Sequence, residues 1–259
     1  MARNDNRTYH LGDKLLVKLP SDVGYAPQNA REQEWLPYLA ERLTLPIPVP
    51  VAQGKPNADY PFHWAINRYL EGEVASVEKP RDMEQFARDL GEFLRELQAV
   101  EVPEDGPEAG AESCYRGAAL QIYADETHRF LTPLADEIPS EKLRQIFDEA
   151  LKTPWDKPTV WVHGDIAPSN LLVKSDRLVA VIDWGIMSVG DPACDLAIAW
   201  MTFDEETRPI FLKATGCDAA TIKRGRAWAL WGAVIRYHHL EKWRADESRH
   251  VIAQILTEI

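Results

Sequence analysis

Residues 158–170 read PTVWVHGDIAPSN. The apolar run Val160 to Val162 leads into His163, Gly164 and Asp165, and Asn170 follows five residues after that aspartate. An apolar run that stops at a glycine reads as the end of a buried strand, which puts Asp165 on the loop just beyond it. Alone, the stretch fits two readings: a turn aspartate after a core strand, or an acid held there for chemistry. The second reading needs partners, and one lies close by. Thirteen residues after Asn170, the apolar run LVAVID (178–183) ends on Asp183, followed by Trp184 and Gly185.

Two short strands, TVWVHG and LVAVIDWG, thus flank a loop and each delivers an aspartate at its end, with Asn170 between them. Amide and carboxylate oxygens are the donors Mg²⁺ takes when water and phosphate complete its shell. An aspartate in the same loop, close to the metal but not on it, can accept a proton from a substrate hydroxyl. That order of base, amide and carboxylate is the catalytic and metal-binding loop arrangement of protein-kinase-like phosphotransferases.

VHGDIAPSNLLV (162–173), VIDWG (181–185) and GDPACDLA (190–197) together resemble the aminoglycoside phosphotransferase family, small-molecule kinases of the protein-kinase-like fold. The likeness runs from about residue 6 to 250. It implies an α+β, two-lobe fold: a small antiparallel-sheet nucleotide-binding lobe (1–70) and a larger, mainly helical catalytic and substrate-binding lobe (71–259). On these positions Asp165 resembles the catalytic base, and Asn170 and Asp183 the Mg²⁺ ligands. His163 resembles the histidine that holds the loop backbone, and Asp195 the aspartate that accepts backbone N–H bonds from that loop. Asp191, before Pro192, is explained as a helix N-cap. Lys18 in LLVKL (15–19) resembles the lysine on the α- and β-phosphates, with Glu32 its helix partner and Glu34 the competing choice. The backbone of Arg68, Tyr69 and Leu70 would meet the adenine edge. ATP, or GTP, is the implied co-substrate.

The coarse pattern agrees with two lobes. A hairpin joined at Gly12-Asp13 (8–19) is followed by a helical pattern over 29–43, with Pro37 awkward inside it, and by an apolar strand (62–72) that stops at Gly72. Then come an amphipathic helix over 81–100, helical patterns near 115–131 and 140–151, a helix opening at Asp191, and helices from about 219 to 257. The chain departs from the family in lacking a glycine-rich phosphate loop; the polar stretch Asn4 to Thr8 would serve instead, and the first strand of the usual sheet is short or absent. No long segment separates Asp183 from Asp191, which argues against a protein kinase.

The 259 residues carry a net charge of −12, which argues against nucleic acid as a partner, since phosphate backbones need clustered Lys and Arg. Three scattered cysteines without CxxC spacing indicate neither a disulfide framework nor zinc. No apolar leader is visible and the apolar windows are too short for a bilayer, so a cytoplasmic protein with no membrane contact is expected, a monomer or dimer. The acidic balance leans toward a cationic or polar small-molecule acceptor, an aminoglycoside or related antibiotic. Asp125 and Glu126 (QIYADETHRF, 121–130) and Asp204 and Glu205 (FDEET, 203–207) are candidates to line its site, each also readable as a solvated face or a cap. A metabolic kinase of the choline, fructosamine or homoserine type, or a catalytically silent nucleotide-binding regulator, is the alternative.

Overall fold

The computed structural model describes residues 6–76 and 80–258. Its N-terminal part is a four-stranded antiparallel sheet of β1 (Asn6–Leu11), β2 (Leu15–Pro20), β3 (Pro50–Gly54) and β4 (Trp64–Arg68) in the order β1-β2-β4-β3. Gly12, at φ 64, makes the left-handed turn of the β1–β2 hairpin, where a side chain would be strained. Of the polar stretch expected to close over phosphates, Asn4 and Asp5 lie outside the described residues, while Asn6 to Thr8 open β1.

Helix α1 (Ala26–Ala40) packs beside this sheet, starting three residues earlier than its apolar spacing suggests. Pro37 stands inside it without ending it, at the cost of the bond its missing N–H would make to the Gln33 carbonyl. Buried Trp35, Leu36 and Leu39 hold that last turn in place. Each fully buried large side chain contributes about 1.5–3 kcal/mol, comparable to the proline's cost of about 3 kcal/mol.

The remainder is mainly helical. Helix α2 (Met83–Ala99) is capped by Asp82, which accepts the Gln85 N–H, and it buries Phe86, Leu90, Phe93, Leu94 and Leu97 along one face. Around it lie α3 (Ala124–Leu131), α4 (Ser140–Leu151), α5 (Ile198–Thr202), α6 (Arg208–Thr215), α7 (Ala219–Val234) and α8 (Lys242–Leu256).

The strands of this part differ from the simple strand-loop-strand reading. Val160–Val162 (β6) pairs with Ser188–Gly190 (β9), not with the strand that precedes Asp183. That strand, β8 (Arg177–Val181), pairs with β7 (Leu171–Lys174), which also pairs with β5 (Glu73–Val74). Strand β7 falls in what reads as loop, because LLVK is too short to declare its period. The segment after Asp191 likewise opens as a 3-10 turn, Pro192–Ala197, before α5 begins. Asp191 does cap it, accepting the Ala193 N–H, and also forms a buried ion pair with Arg224 of α7 at 2.7 Å. Among the described residues no helix is long and apolar enough to cross a membrane.

Candidate active site

The loop after β6 is held from beneath. Asp195, 1% exposed, accepts the backbone N–H groups of His163 and Gly164, both at 2.8 Å. Burial pushes its carboxyl above the usual range, while the His163 ring and these two N–H bonds pull it back. The buried His163 ring accepts the Asp165 N–H on Nδ1 at 3.1 Å, so its proton sits on Nε2, which meets the Ile182 carbonyl at 3.1 Å. Burial lowers its pKa further, so the imidazole is a neutral strut between the two loops. Gly164 is there for shape: its φ is +85°, and a Cβ would come 2.6 Å from the Ile186 carbonyl oxygen. No side chain fits at that place.

Above this base the polar residues converge. The Asn170 amide nitrogen donates to the Asp165 carbonyl at 2.9 Å and to its Oδ2 at 3.0 Å, which fixes the direction of both side chains. Lys18 donates to both oxygens of Glu32 at 2.8 Å and to Asp183 Oδ1 at 3.0 Å. Its partner is therefore Glu32; Glu34 is exposed on the other side of α1. Burial pushes the Lys18 ammonium down, but the Glu32 and Asp183 carboxylates outweigh it and carry its pKa up. Lys18 in turn holds the Asp183 carboxyl below its usual range, against burial. Burial pushes the Glu32 carboxyl up, opposed by Lys18 and by the Trp184 N–H, which donates to Glu32 Oε1 at 2.9 Å. Asp183 itself sits at φ 64, a left-handed conformation that aspartate tolerates better than most residues. The indole of Trp184 is fully buried, its Nε1–H on the Val181 carbonyl at 3.0 Å.

These groups line one cavity of about 660 Å³ between the N-terminal sheet and the helical part. Lys18, Glu32, Arg68, Tyr69, Leu70, Asp165, Asn170 and Asp183 all contribute to its wall. Leu16, Pro48, Leu172 and Ile182 add apolar surface, enough for a planar base. The Tyr69 N–H already donates to the Lys14 carbonyl at 2.8 Å and the Arg68 N–H to that of Val49 at 3.4 Å, so neither amide is open to a ligand edge. Asn6 and Asn67, also in the wall, each keep a buried Oδ1 without a hydrogen-bond partner among the described residues. The sequence pointed to none of Leu16, Pro48, Asn67 or Arg244, which reach the cavity from four separate segments; only their assembly reveals them.

The four acceptor-site candidates do not line the cavity. Asp204 accepts the N–H groups of Glu206 and Thr207 and the Thr207 hydroxyl, which hold its carboxyl below the usual range; it serves as a turn ahead of α6, with Glu205 exposed beside it. Glu126 accepts the Trp231 indole N–H at 2.8 Å, and Asp125 is exposed. Among the described residues no cluster of three or more His, Cys, Asp or Glu is placed to hold a metal. The donors offered are instead one amide and one carboxylate, which suits a cation that keeps water and phosphate ligands.

Residues 2–230 match the model of the phosphotransferase enzyme family APH. The chain belongs to this family. An aminoglycoside 3'-phosphotransferase of Escherichia coli is 26% identical over 146 residues, 55% of this chain and 53% of the relative. A homoserine kinase of Gluconobacter oxydans is 30% identical over 199 residues, 72% of this chain and 60% of the relative. The chain thus spans about half the length of the curated relatives it matches. The solved GDP and kanamycin complex of APH(2")-IIia shares the fold at a TM-score of 0.73, with 17% identity over 98% of this chain and 90% of that one. The APH family fold is therefore the α+β arrangement described above, with its antiparallel sheet N-terminal and its helices C-terminal.

Proposed function

We propose that this chain is a kinase that transfers the γ-phosphoryl group of ATP, or GTP, to a hydroxyl of a small molecule. The observation that carries the reading is the single cavity in which Asp165, Asn170, Asp183 and Lys18 meet. The lobes would divide between residues 70 and 71, with the nucleotide base among the apolar residues that line the cavity from both sides. Asn170, through its Oδ1, and Asp183 would hold Mg²⁺, which when bound neutralises phosphate charge. Lys18, fixed by Glu32, brings a point charge to the phosphates. Asp165, oriented by the Asn170 amide, holds the acceptor hydroxyl in line and takes its proton late, since aspartate is a weak base at neutral pH. His163 and Asp195 set the loop and do no proton transfer. Most of the rate then comes from positioning and charge stabilisation.

The test is Asp165→Asn. The variant should fold, retain ADP binding and lose turnover by about 10²–10⁴-fold, the range for general base catalysis; unchanged turnover sinks the assignment. ADP release measured with and without excess chelator reads the metal requirement in the same assay. Nucleotide binding without turnover under any acceptor would favour the silent regulator.

The family likeness supports an aminoglycoside or related antibiotic as acceptor. A second reading, a metabolic alcohol, is favoured by two observations. The carboxylates expected to hold a polycation lie outside the cavity, two of them committed to hydrogen bonds within the chain. The homoserine kinase likeness also extends over more of the chain than the aminoglycoside one.

A further inference from the structure

The peptide group that joins Gly164 to Asp165 is held from two sides. Its N–H donates to His163 Nδ1 at 3.1 Å, and its carbonyl accepts from Arg116 Nε at 3.0 Å. The two amides before it, on His163 and Gly164, go to Asp195. Three of these four bonds therefore come from the loop's own histidine or from the aspartate packed under it. The fourth comes from a segment 48 residues upstream. The stem of Arg116 lies directly on Gly164, where an added Cβ would come 3.0 Å from the Arg116 Cβ.

Several contacts fix Arg116 in that place. Cys114 and Tyr115, just before it, both adopt left-handed conformations, at φ 48 and 55, which residues with a Cβ seldom take. Such strain persists only where the surroundings hold it, and it gathers at functional sites. Here the Tyr115 N–H donates to the Gly110 carbonyl at 2.7 Å and the Asp191 N–H to the Gly117 carbonyl at 2.8 Å, while the Ser188 hydroxyl of β9 donates to the Arg116 carbonyl. The guanidinium lies 5.3 Å from the centre of the Trp228 ring and 5.0 Å from that of Trp231, within reach of cation–π attraction. Trp231 is fixed in turn: its indole N–H donates to Glu126 at 2.8 Å, and Tyr123 stacks on it with centroids 4.0 Å apart. The planar fork of Arg116 serves two carbonyls at once, Gly164 through Nε and Cys114 through Nη1 at 3.2 Å.

We propose that Arg116 is a positioning residue for Asp165. By fixing the carbonyl of Gly164 it sets the peptide from which the Asp165 side chain springs, and Glu126 and Trp231 act behind it by fixing its guanidinium. The proposal rests on the phosphotransferase reading for what Asp165 does there. Arg116, Trp231 and Glu126 do not line the cavity of Lys18 and Asp183, so losing their hold changes turnover and spares nucleotide binding. Lysine is a poor substitute, since its ammonium lacks the rigid planar fork that spans both carbonyls.

Two measurements on the whole chain test it: ADP release from Mg-ATP with water as acceptor, and hydrogen exchange resolved to single amides over residues 161–167. Arg116→Met keeps an apolar stem on the indoles and removes both donors. It should lower kcat about 10- to 100-fold, the cost of misplacing a reacting group by up to about 1 Å. The KM for ATP should stay within about twofold, since no group on the nucleotide is touched. Exchange at the Asp165 amide should quicken about tenfold, while the His163 and Gly164 amides keep their protection on Asp195. Arg116→Lys should recover part of both effects, and it carries the test by itself if the methionine variant does not fold. The proposal is overturned if either kcat or Asp165 exchange is unchanged, or if the KM for ATP rises instead. It is equally overturned if all three amides quicken together with a fall in melting temperature, or if the lysine variant matches the parent protein in both readings. Asp165→Asn in the same assay separates the two questions. ADP release that is absent from the parent protein, or that Asp165→Asn leaves unchanged, counts against the phosphotransferase reading, and the exchange measurement then decides by itself whether Arg116 holds the loop.

Discussion

Asp165, Asn170 and Asp183 could be picked from the sequence because a strand end and a tight loop fix their spacing, and spacing is visible along a chain. What holds them could be seen only in part. Asp195 was placed by likeness, but its two 2.8 Å bonds to the His163 and Gly164 amides depend on a 3-10 turn formed thirty residues on. Replacing it with alanine leaves two buried N–H groups without an acceptor, each costing about 1–3 kcal/mol. Urea unfolding should therefore show Asp195→Ala destabilised by about 2–6 kcal/mol, and Asp195→Asn by less, because one acceptor oxygen remains. Equal losses in the two variants would mean that the carboxylate's bonds to the loop are not what the site needs. The choice between Glu32 and Glu34 could not be made from spacing, since both lie on α1; burial made it, by turning Glu32 inward to Lys18.

Among the elements, the long amphipathic helix α2 was legible, as its period is repeated over seventeen residues. The short strands were not, because three or four residues carry no period and their partners are remote: β6 takes β9, and β7 takes both β5 and β8. The Asp191 cap was legible, whereas its ion pair with Arg224 was not, since 33 residues separate them. That pair is 3% exposed on both sides and ties α7 to the turn beneath the Asp165 loop. Arg224→Met strands the Asp191 charge and should cost about 3–5 kcal/mol, whereas the double change Asp191→Asn with Arg224→Met should recover much of it. Denaturant midpoints of the two single variants and the double variant measure this directly. Additive losses would show that no coupling links the helix to the cap.

Across the whole molecule, the sheet and the helical part are joined through the cavity itself. Lys18 of β2 reaches Asp183, Glu32 of α1 takes the Trp184 N–H, and Arg31 donates to the Met187 carbonyl at 2.8 Å. A nucleotide in that cavity would touch both parts, so Mg-ADP at a hundred times its dissociation constant should stabilise the fold by about 2.7 kcal/mol. Lys18→Met should abolish most of this shift and lower the unfolding temperature without ligand, since Glu32 is left buried and unpaired. A thermal shift that is the same in both proteins would place the nucleotide elsewhere. The composition, the HGD and DWG loops and the longest helix follow from local chain chemistry, in which residue type and spacing act within one or two turns. The lysine's partner, the strand pairings and the bond of Glu126 to the Trp231 indole are set only when remote segments pack together. Burial and charge there depend on neighbours that no local window of sequence contains.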